Sequence, residues 1–221
     1  MLHFVKYDLM MPTWGTILLF LLTIPMFYAV MFPLYFIFVA YVLAITVGLF
    51  FTDQREKSKL YMSSLPVNRV SIVRGRYVSI LMVSICFVLY QSIWGRILSL
   101  TLENNYYVYS WKDMLVLLCI AALIEVVAIP IYYGLSSFLM ATGILAFLYF
   151  LSIILTLPPL TNVLGMEHEI IFNDLDPGYV LLVEKYIPFQ PYITLVLATA
   201  ILFYLSLKLS ELLFVKKEKV T

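Results

Sequence analysis

Residues 53–76 read DQREKSKLYMSSLPVNRVSIVRGR and separate two long apolar runs. This stretch holds six of the chain's fourteen Lys and Arg residues. Of all 221 residues, 63% are hydrophobic and 12% are charged, and the mean hydropathy is +1.00. Because a soluble domain carries about 25% charged residues, this composition is typical of a polytopic membrane protein.

Six apolar runs are long enough to cross a membrane, since a spanning helix needs about 20 mostly apolar residues. Residues 1–12 mix apolar side chains with Lys6 and Asp8 and end at Pro12, which predicts a short amphipathic helix at the membrane surface. The predicted fold class is therefore an all-α membrane protein with a single domain. Its six predicted spans cover about 14–30, 33–51, 77–97, 114–133, 138–157 and 192–213.

The distribution of Lys and Arg predicts that both termini lie in the cytoplasm. In that orientation the inner segments hold eleven of the basic residues and the outer segments hold three. The outer segment 158–191 opens with Pro158 and Pro159. Its later part, GYVLLVEKYIPFQP, is mostly apolar and predicts a short helix at the outer leaflet.

Several kinds of chemistry are excluded by the sequence. A net charge of +1 gives no reason to expect nucleic acid as a partner. The chain has no G-x-x-x-x-G-K-[ST] motif for nucleotide phosphates and no H-E-x-x-H motif for zinc. An acidic group in the outer segment has the chemistry to bind a divalent cation, but its spacing matches no ligand pattern, so a solvated loop is the favoured interpretation. That group comprises Glu167, His168, Glu169, Asp174 and Asp176.

Glu125 is the one carboxylate deep inside the fourth apolar run. It follows Asp113 by twelve residues, which corresponds to about 18 Å along a helix and places it near the bilayer midplane. Small residues on the same helical face, Ala121, Ala122 and Ala128, favour close packing on another helix. Two interpretations stay open: a substrate or gating contact, or a neutral Glu hydrogen-bonded to a neighbouring backbone.

Two other residues within the predicted spans are notable: Gln91 for its polar side chain and Pro130 for its missing N–H group. Gln91, near the outer end of the third run, is a second candidate for lining a path, or it is a helix-packing residue. Pro130 lacks an N–H group and therefore leaves one backbone carbonyl of its helix without a donor.

The basic stretch has an internal helix–break–helix pattern. Residues 53–62 carry charges of both signs at helical spacing, and Pro66 then disfavours helix at Leu65. Asn68 is suited to cap a new helix that starts at Arg69. This pattern predicts a rigid surface on which a cytoplasmic protein docks.

The residues of this stretch resemble a loop of ABC-2 type permeases from Gram-positive bacteria. In that family the pattern D-x-x-x-K…SLPV-[SN]-R-x-x-IV-x-x-[KR]-Y follows the second span, and here it reads from Asp53 and Lys57 through Ser64–Arg69 to Arg76-Tyr77. The layout of the whole chain is similar too. The resemblance implies that 53–62 is a coupling helix that docks on a separate ATPase subunit. The residues that it assigns to coupling are Asp53, Arg55, Glu56, Lys57, Leu65, Pro66, Val67, Asn68 and Arg69.

The same resemblance implies a permease of the cell membrane that has no enzymatic activity of its own. ATP and Mg²⁺ would be bound by the partner ATPase, and this chain would hold no cofactor. A second permease, identical or related, would complete the exporter. An amphipathic peptide or a similar hydrophobic molecule would suit spans rich in Phe, Tyr and Met.

Two rival functions remain open from the sequence. One is an ion-coupled secondary transporter or channel in which Glu125 is the proton or cation site. The other is a membrane anchor or sensor that recruits a cytoplasmic protein through 53–76 without moving a substrate.

Overall fold

The computed structural model describes residues 21–23, 25–27, 33–55, 69–101, 107–166 and 175–218. Regular secondary structure within these ranges is helical, and they contain no strand. Six helices are fully bounded: α1 Leu34–Arg55, α2 Arg69–Thr101, α3 Trp111–Gly134, α4 Phe138–Leu164, α5 Asp176–Tyr186 and α6 Pro191–Glu218. Residues 21–23 and 25–27 are also helical.

Five of these helices are long and apolar enough to cross a membrane: α1, α2, α3, α4 and α6. The chain is therefore a multi-pass membrane protein. The predicted span 14–30 lies mostly outside the described residues, and the predicted surface helix 1–12 lies wholly outside them. The count of six spans and the orientation of the termini stay predictions.

Helix α3 is the centre of the bundle and packs against α1, α2 and α6. Its inward face is built from small and branched side chains that are fully buried, such as Ala121, Ala128 and Ile129. Small residues allow neighbouring backbones to approach closely in a membrane, where packing rather than water drives association. By contrast, α4 and α6 leave most of their apolar side chains exposed.

The start of α3 is fixed by a reciprocal capping box. The Ser110 side chain accepts a hydrogen bond from the Asp113 backbone, and the Asp113 carboxylate accepts one from the Ser110 backbone at 2.9 Å. Such a box satisfies two of the N–H groups that the first turn of a helix leaves without partners. It also orients Asp113 toward neighbouring helices.

Helix α4 is longer than the sequence predicts. The two prolines after Leu157 predicted the end of the span, but the helix continues through them to Leu164 and ends at Gly165, whose φ is 70°. Proline removes only its own N–H, and a membrane offers the remaining peptide groups no better partners than a helix. The added turns also have a packing partner, since Leu160 is buried against Gly178 of α5.

Both ends of the stretch 53–76 are helical where the structure describes them. Helix α1 continues to Arg55, and α2 begins at Arg69, which is the residue where the sequence predicts a new helix, while 56–68 lie outside the described residues. At about 1.5 Å per residue the 33-residue α2 is about 50 Å long. Because a hydrocarbon core is about 30 Å thick, α2 is longer than is needed to cross it.

Candidate functional site

Glu125 lies at the centre of the bundle, where its side chain is 0% exposed. Neither of its carboxylate oxygens has a hydrogen-bond partner within the described part of the chain. The sequence predicts that Glu125 faces protein or a water-filled path, and in this structure protein encloses the side chain. The sequence left open a neutral Glu that is hydrogen-bonded to a neighbouring backbone. No such hydrogen bond is present within the described residues.

A hydroxyl network joins α2, α3 and α6 beside Glu125. The Tyr77 hydroxyl lies 2.7 Å from the Ser206 hydroxyl and 2.9 Å from the Ser210 hydroxyl. Ser206 also donates to the carbonyl oxygen of Val126 at 2.8 Å. Val126 follows Glu125 in the sequence, so the Ser206 hydroxyl contacts the backbone directly beside Glu125. We call Tyr77, Ser206 and Ser210 the hydroxyl network.

The bond from Ser206 explains how α3 accommodates its internal proline. Pro130 has no N–H group, so the carbonyl of Val126, four residues earlier, loses its helical donor. Ser206 of α6 supplies the missing donor from the neighbouring helix. The freed carbonyl that the sequence predicts is therefore an interhelical contact, and α3 runs unbroken to Gly134.

At one end of the bundle a buried ion pair joins α1 to α2. Arg76 donates to the Asp53 carboxylate at 2.6 Å, and both side chains are almost fully buried. The Arg76 guanidinium also lies 5.4 Å from the ring centroid of Phe50, which stacks on Tyr132 of α3. We call this end of the bundle the Asp53 end.

A second ionic contact at the Asp53 end joins α2 to α6. Glu211 accepts from Arg74 at 2.7 Å and from Lys208 at 3.0 Å. Glu211 itself is buried, whereas the two basic side chains are about half exposed. The two contacts together tie α1, α2 and α6 to one another beside the segment 56–68.

Of the nine residues predicted to couple to an ATPase, the structure describes three. Asp53 faces inward and pairs with Arg76, so its carboxylate is not on the surface. The helix α1 ends at Arg55 and α2 begins at Arg69. The other six lie outside the described residues: Glu56, Lys57, Leu65, Pro66, Val67 and Asn68.

The opposite end, which we call the Asp113 end, carries a polar cluster that the sequence reasoning missed. The Asp176 carboxylate accepts hydrogen bonds from the backbone N–H groups of Leu34 at 3.0 Å and Tyr35 at 3.1 Å. It therefore caps the first turn of α1 from a residue more than 140 positions away. Asp176 is buried, which corrects its interpretation as part of a solvated loop.

Tyr35 links this cap to the start of α3. Its hydroxyl donates to the Asp113 carboxylate at 3.0 Å, and its ring stacks on Tyr179 of α5 with centroids 4.3 Å apart. Tyr107 donates to the same carboxylate at 2.8 Å. Four segments of the chain, α1, residues 107–110, α3 and α5, thus meet at two buried acids. One sequence signal for this cluster was available. Pro33, which precedes α1, has no side chain that can cap the helix, so a cap from another part of the chain was to be expected.

Gln91 belongs to this cluster and not to a described path. Its amide donates to the Tyr109 hydroxyl at 2.9 Å and to the Leu34 carbonyl at 3.3 Å. The side chain is buried and connects α2 with the start of α1. These contacts support the helix-packing interpretation.

The electrostatics of Asp176 are dominated by its burial. Burial raises the pKa of this carboxyl, and the nearby Asp113 adds to the effect. The two backbone N–H donors act in the opposite direction but do not cancel it, and the resulting pKa is about 7. In the described ranges no three His, Cys, Asp or Glu side chains are grouped to hold a metal ion.

Comparison with families of known proteins gives one match. Residues 3–214 match the family described as ABC-2 family transporter protein. The match spans nearly the whole chain, so the chain belongs to this family. Its members are membrane components of ABC transporters, work with an ABC ATPase and usually pair with another permease. Comparisons with curated proteins and with solved structures gave no match.

Proposed function

We propose that this chain is the permease of an ATP-driven exporter and that residues 53–76 transmit the action of a cytoplasmic ATPase subunit to the spans. The observation that carries the proposal is the buried Asp53–Arg76 pair at 2.6 Å. It holds together the two helices from which segment 56–68 emerges. A docking segment transmits force only if its ends are fixed to the moving body.

The proposed orientation places the Asp53 end in the cytoplasm. Arg74, Arg76 and Lys208 lie at this end, which agrees with the preference of basic residues for the cytoplasmic side. Closure of the ATPase dimer would push segment 56–68. Because α1, α2 and α6 are joined by ionic contacts at this end, they would move together against the rest of the bundle. Two permeases, identical or related, would rock between inward-open and outward-open states.

The proposed substrate is an amphipathic peptide or a similar hydrophobic molecule. The chain has sixteen Phe, seventeen Tyr and ten Met residues, which adapt to varied apolar surfaces. We propose that the chain resembles the permease subunit of the staphylococcal exporter of phenol-soluble modulins, which are amphipathic cytolytic peptides. A Gram-positive cell membrane is the proposed location.

The test is co-purification of the detergent-solubilised permease with candidate ATPase subunits. Wild type is compared with Leu65→Asp and Arg69→Glu, which place unfavourable charges on residues 65–69, the proposed docking elbow between the two helices of the pattern. Matched controls are Leu181→Asp and Lys185→Glu, because both residues are exposed on α5 at the Asp113 end. We expect wild type and controls to retain the ATPase and both elbow variants to lose it. Binding that ignores the elbow variants, or is lost equally in the controls, contradicts the proposal.

A second candidate function rests on Glu125. A buried carboxyl without a partner is also what an ion-coupled transporter or channel would use as its proton or cation site. That function predicts uptake or release by the permease alone in sealed vesicles. Transport that requires both the ATPase and ATP excludes it.

A further inference from the structure

Glu125 stands out because its polar atoms are buried without partners. More than about 90% of buried polar groups in proteins have a hydrogen-bond partner, so an exception needs a specific explanation. Both oxygens of Glu125 lack one among the described residues, and no solvent reaches the side chain. Leaving a carboxyl in this position costs stability unless another state of the protein uses it.

The bundle itself provides no counterion for Glu125. The basic residues next to the hydroxyl network in the sequence are Arg76, which adjoins Tyr77, and Lys208, which follows Ser206. Arg76 is bound to Asp53 at 2.6 Å, and Lys208 is bound to Glu211 at 3.0 Å. Neither of these two cations pairs with Glu125, and within the described residues neither of its carboxylate oxygens has a hydrogen-bond partner.

The surroundings of Glu125 suit one class of cation. The hydroxyl network supplies acceptor oxygens beside it, and the ring of Tyr77 packs edge to face on Phe203 with centroids 5.0 Å apart. An ammonium group has three N–H donors, which match a carboxylate together with hydroxyl oxygens. Aromatic rings add a favourable interaction with a cation.

We propose that Glu125 binds a protonated amine of the transported molecule, which makes cationic amphiphiles, including peptides with lysine side chains, the substrate class. This inference rests on the proposed transport function and specifies its substrate. A carboxylate paired with an ammonium introduces no net charge into the membrane. The pair also gives both partners the hydrogen bonds that a lone buried ion lacks.

Access to Glu125 requires α3 and α6 to separate. In this structure Glu125 is fully covered. Next to it, the described hydrogen bond between α3 and α6 is the one from the Ser206 side chain to the Val126 carbonyl. Side-chain hydrogen bonds of this kind between membrane helices are weak, which permits rearrangement during a cycle. Separation would expose the carboxyl and the hydroxyl network on the same surface.

The first test measures ATPase activity of the reconstituted permease–ATPase complex in phosphatidylcholine vesicles. Dodecylammonium is compared with dodecanol, which has the same chain length and no charge. We expect dodecylammonium to raise the rate several-fold over dodecanol in wild type and in the control Glu184→Gln, an exposed acid at the Asp113 end. In Glu125→Gln the two probes should act equally. An unchanged preference for dodecylammonium in Glu125→Gln overturns the proposal.

The second test uses the wild-type protein and so does not depend on folding of the variant. A fluorescent hydrophobic carbodiimide labels buried carboxylic acids: the acid adds its proton to one nitrogen and its oxygen to the central carbon, and an internal acyl shift leaves a stable N-acylurea. We expect label at Glu125 and protection by dodecylammonium but not by dodecanol. Equal protection by both probes, or by neither, in the permease alone and in the complex overturns the proposal.

The two proposals fail in different ways. If no ATPase co-purifies, the exporter function fails, while selective amine protection still identifies the binding site. If the ATPase binds through the elbow but the probes act alike, the exporter function stands and the role of Glu125 in amine recognition is rejected.

Discussion

The hydroxyl of Ser206 donates a hydrogen bond of 2.8 Å to the carbonyl of Val126, across the interface between α6 and α3. This carbonyl is the one that Pro130 leaves without a helical donor. The stability that this hydrogen bond contributes therefore depends on the proline, because Ser206 replaces a backbone N–H that the helix cannot provide. A proline and a serine 76 positions apart in the sequence are thus linked through one backbone carbonyl.

We predict that Ser206→Ala lowers the free energy of unfolding by about 1 kcal/mol, and by less in a Pro130→Ala background, where the helix supplies its own donor. Unfolding by a denaturing detergent, in a double-mutant cycle, measures the coupling. The control is Ser84→Ala, since the Ser84 hydroxyl bonds only to the Ile80 carbonyl of its own helix. Equal losses with and without Pro130 would contradict this account of the bond.

A second prediction concerns the buried ion pair of Asp53 and Arg76, where removing one charge should cost more stability than removing both. Asp53→Asn leaves the guanidinium buried without its carboxylate, and we expect a loss of about 3 kcal/mol or more in unfolding free energy. The double variant Asp53→Leu with Arg76→Leu should recover most of that loss, because no unpaired charge remains. A double variant no more stable than Asp53→Asn would show that the pair itself is required.

An exposed ion pair of similar length is the matched control. Lys112 and Glu184 lie 2.8 Å apart, and both side chains are more than a third exposed. Lys112→Gln should cost at most about 1 kcal/mol, because water solvates the remaining charge. The contrast between the two pairs isolates the effect of burial from that of distance.

The sequence predicts the apolar helices well because span formation depends on local hydropathy alone. It predicts less well where a distant partner decides the outcome. Pro158 and Pro159 suggest a helix end, yet packing of Leu160 against Gly178 extends α4 past them. The acid Asp176 suggests a solvated loop, yet it is buried as the cap of α1.

The candidate sites show the same division. The position of Glu125 inside a long apolar run predicts its burial, because the surrounding residues belong to one helix. Its carboxylate oxygens have no partner because of the side chains that α2 and α6 place nearby. A local sequence pattern does not contain that information. The coupling function of 53–76 stays a prediction, since six of its nine residues lie outside the described ranges.

The cap at Asp176 predicts a dependence of stability on pH. Its folded pKa of about 7 lies above the ordinary value of 3.8, so between these values the folded protein holds a proton that the unfolded chain has released. The stabilising contribution is complete below about pH 4 and is lost as the pH rises through about 7. We expect the melting temperature of wild type to fall over that range and Asp176→Asn to flatten the curve. The other titratable groups are the same in both proteins, so the difference between the two curves is the measurement, and parallel curves would contradict the assignment.

Gly178 is predicted to be required by the contact between α4 and α5. A Cβ atom at this position would lie 2.4 Å from a terminal carbon of Leu160 and 2.9 Å from one of Leu164. Leu160 is fully buried and cannot turn into solvent, so we expect Gly178→Ala to cost about 1 to 3 kcal/mol through overpacking. Gly143→Ala is the control within α4, because nothing lies within 4 Å of its added Cβ, and it should be neutral or stabilising by up to about 1 kcal/mol. Since Leu160→Ala would create space, it should reduce the penalty of Gly178→Ala in a double-mutant cycle. A penalty that persists when Leu160 and Leu164 are both changed to Ala would place the constraint in the backbone of α5 and not in its contact with α4.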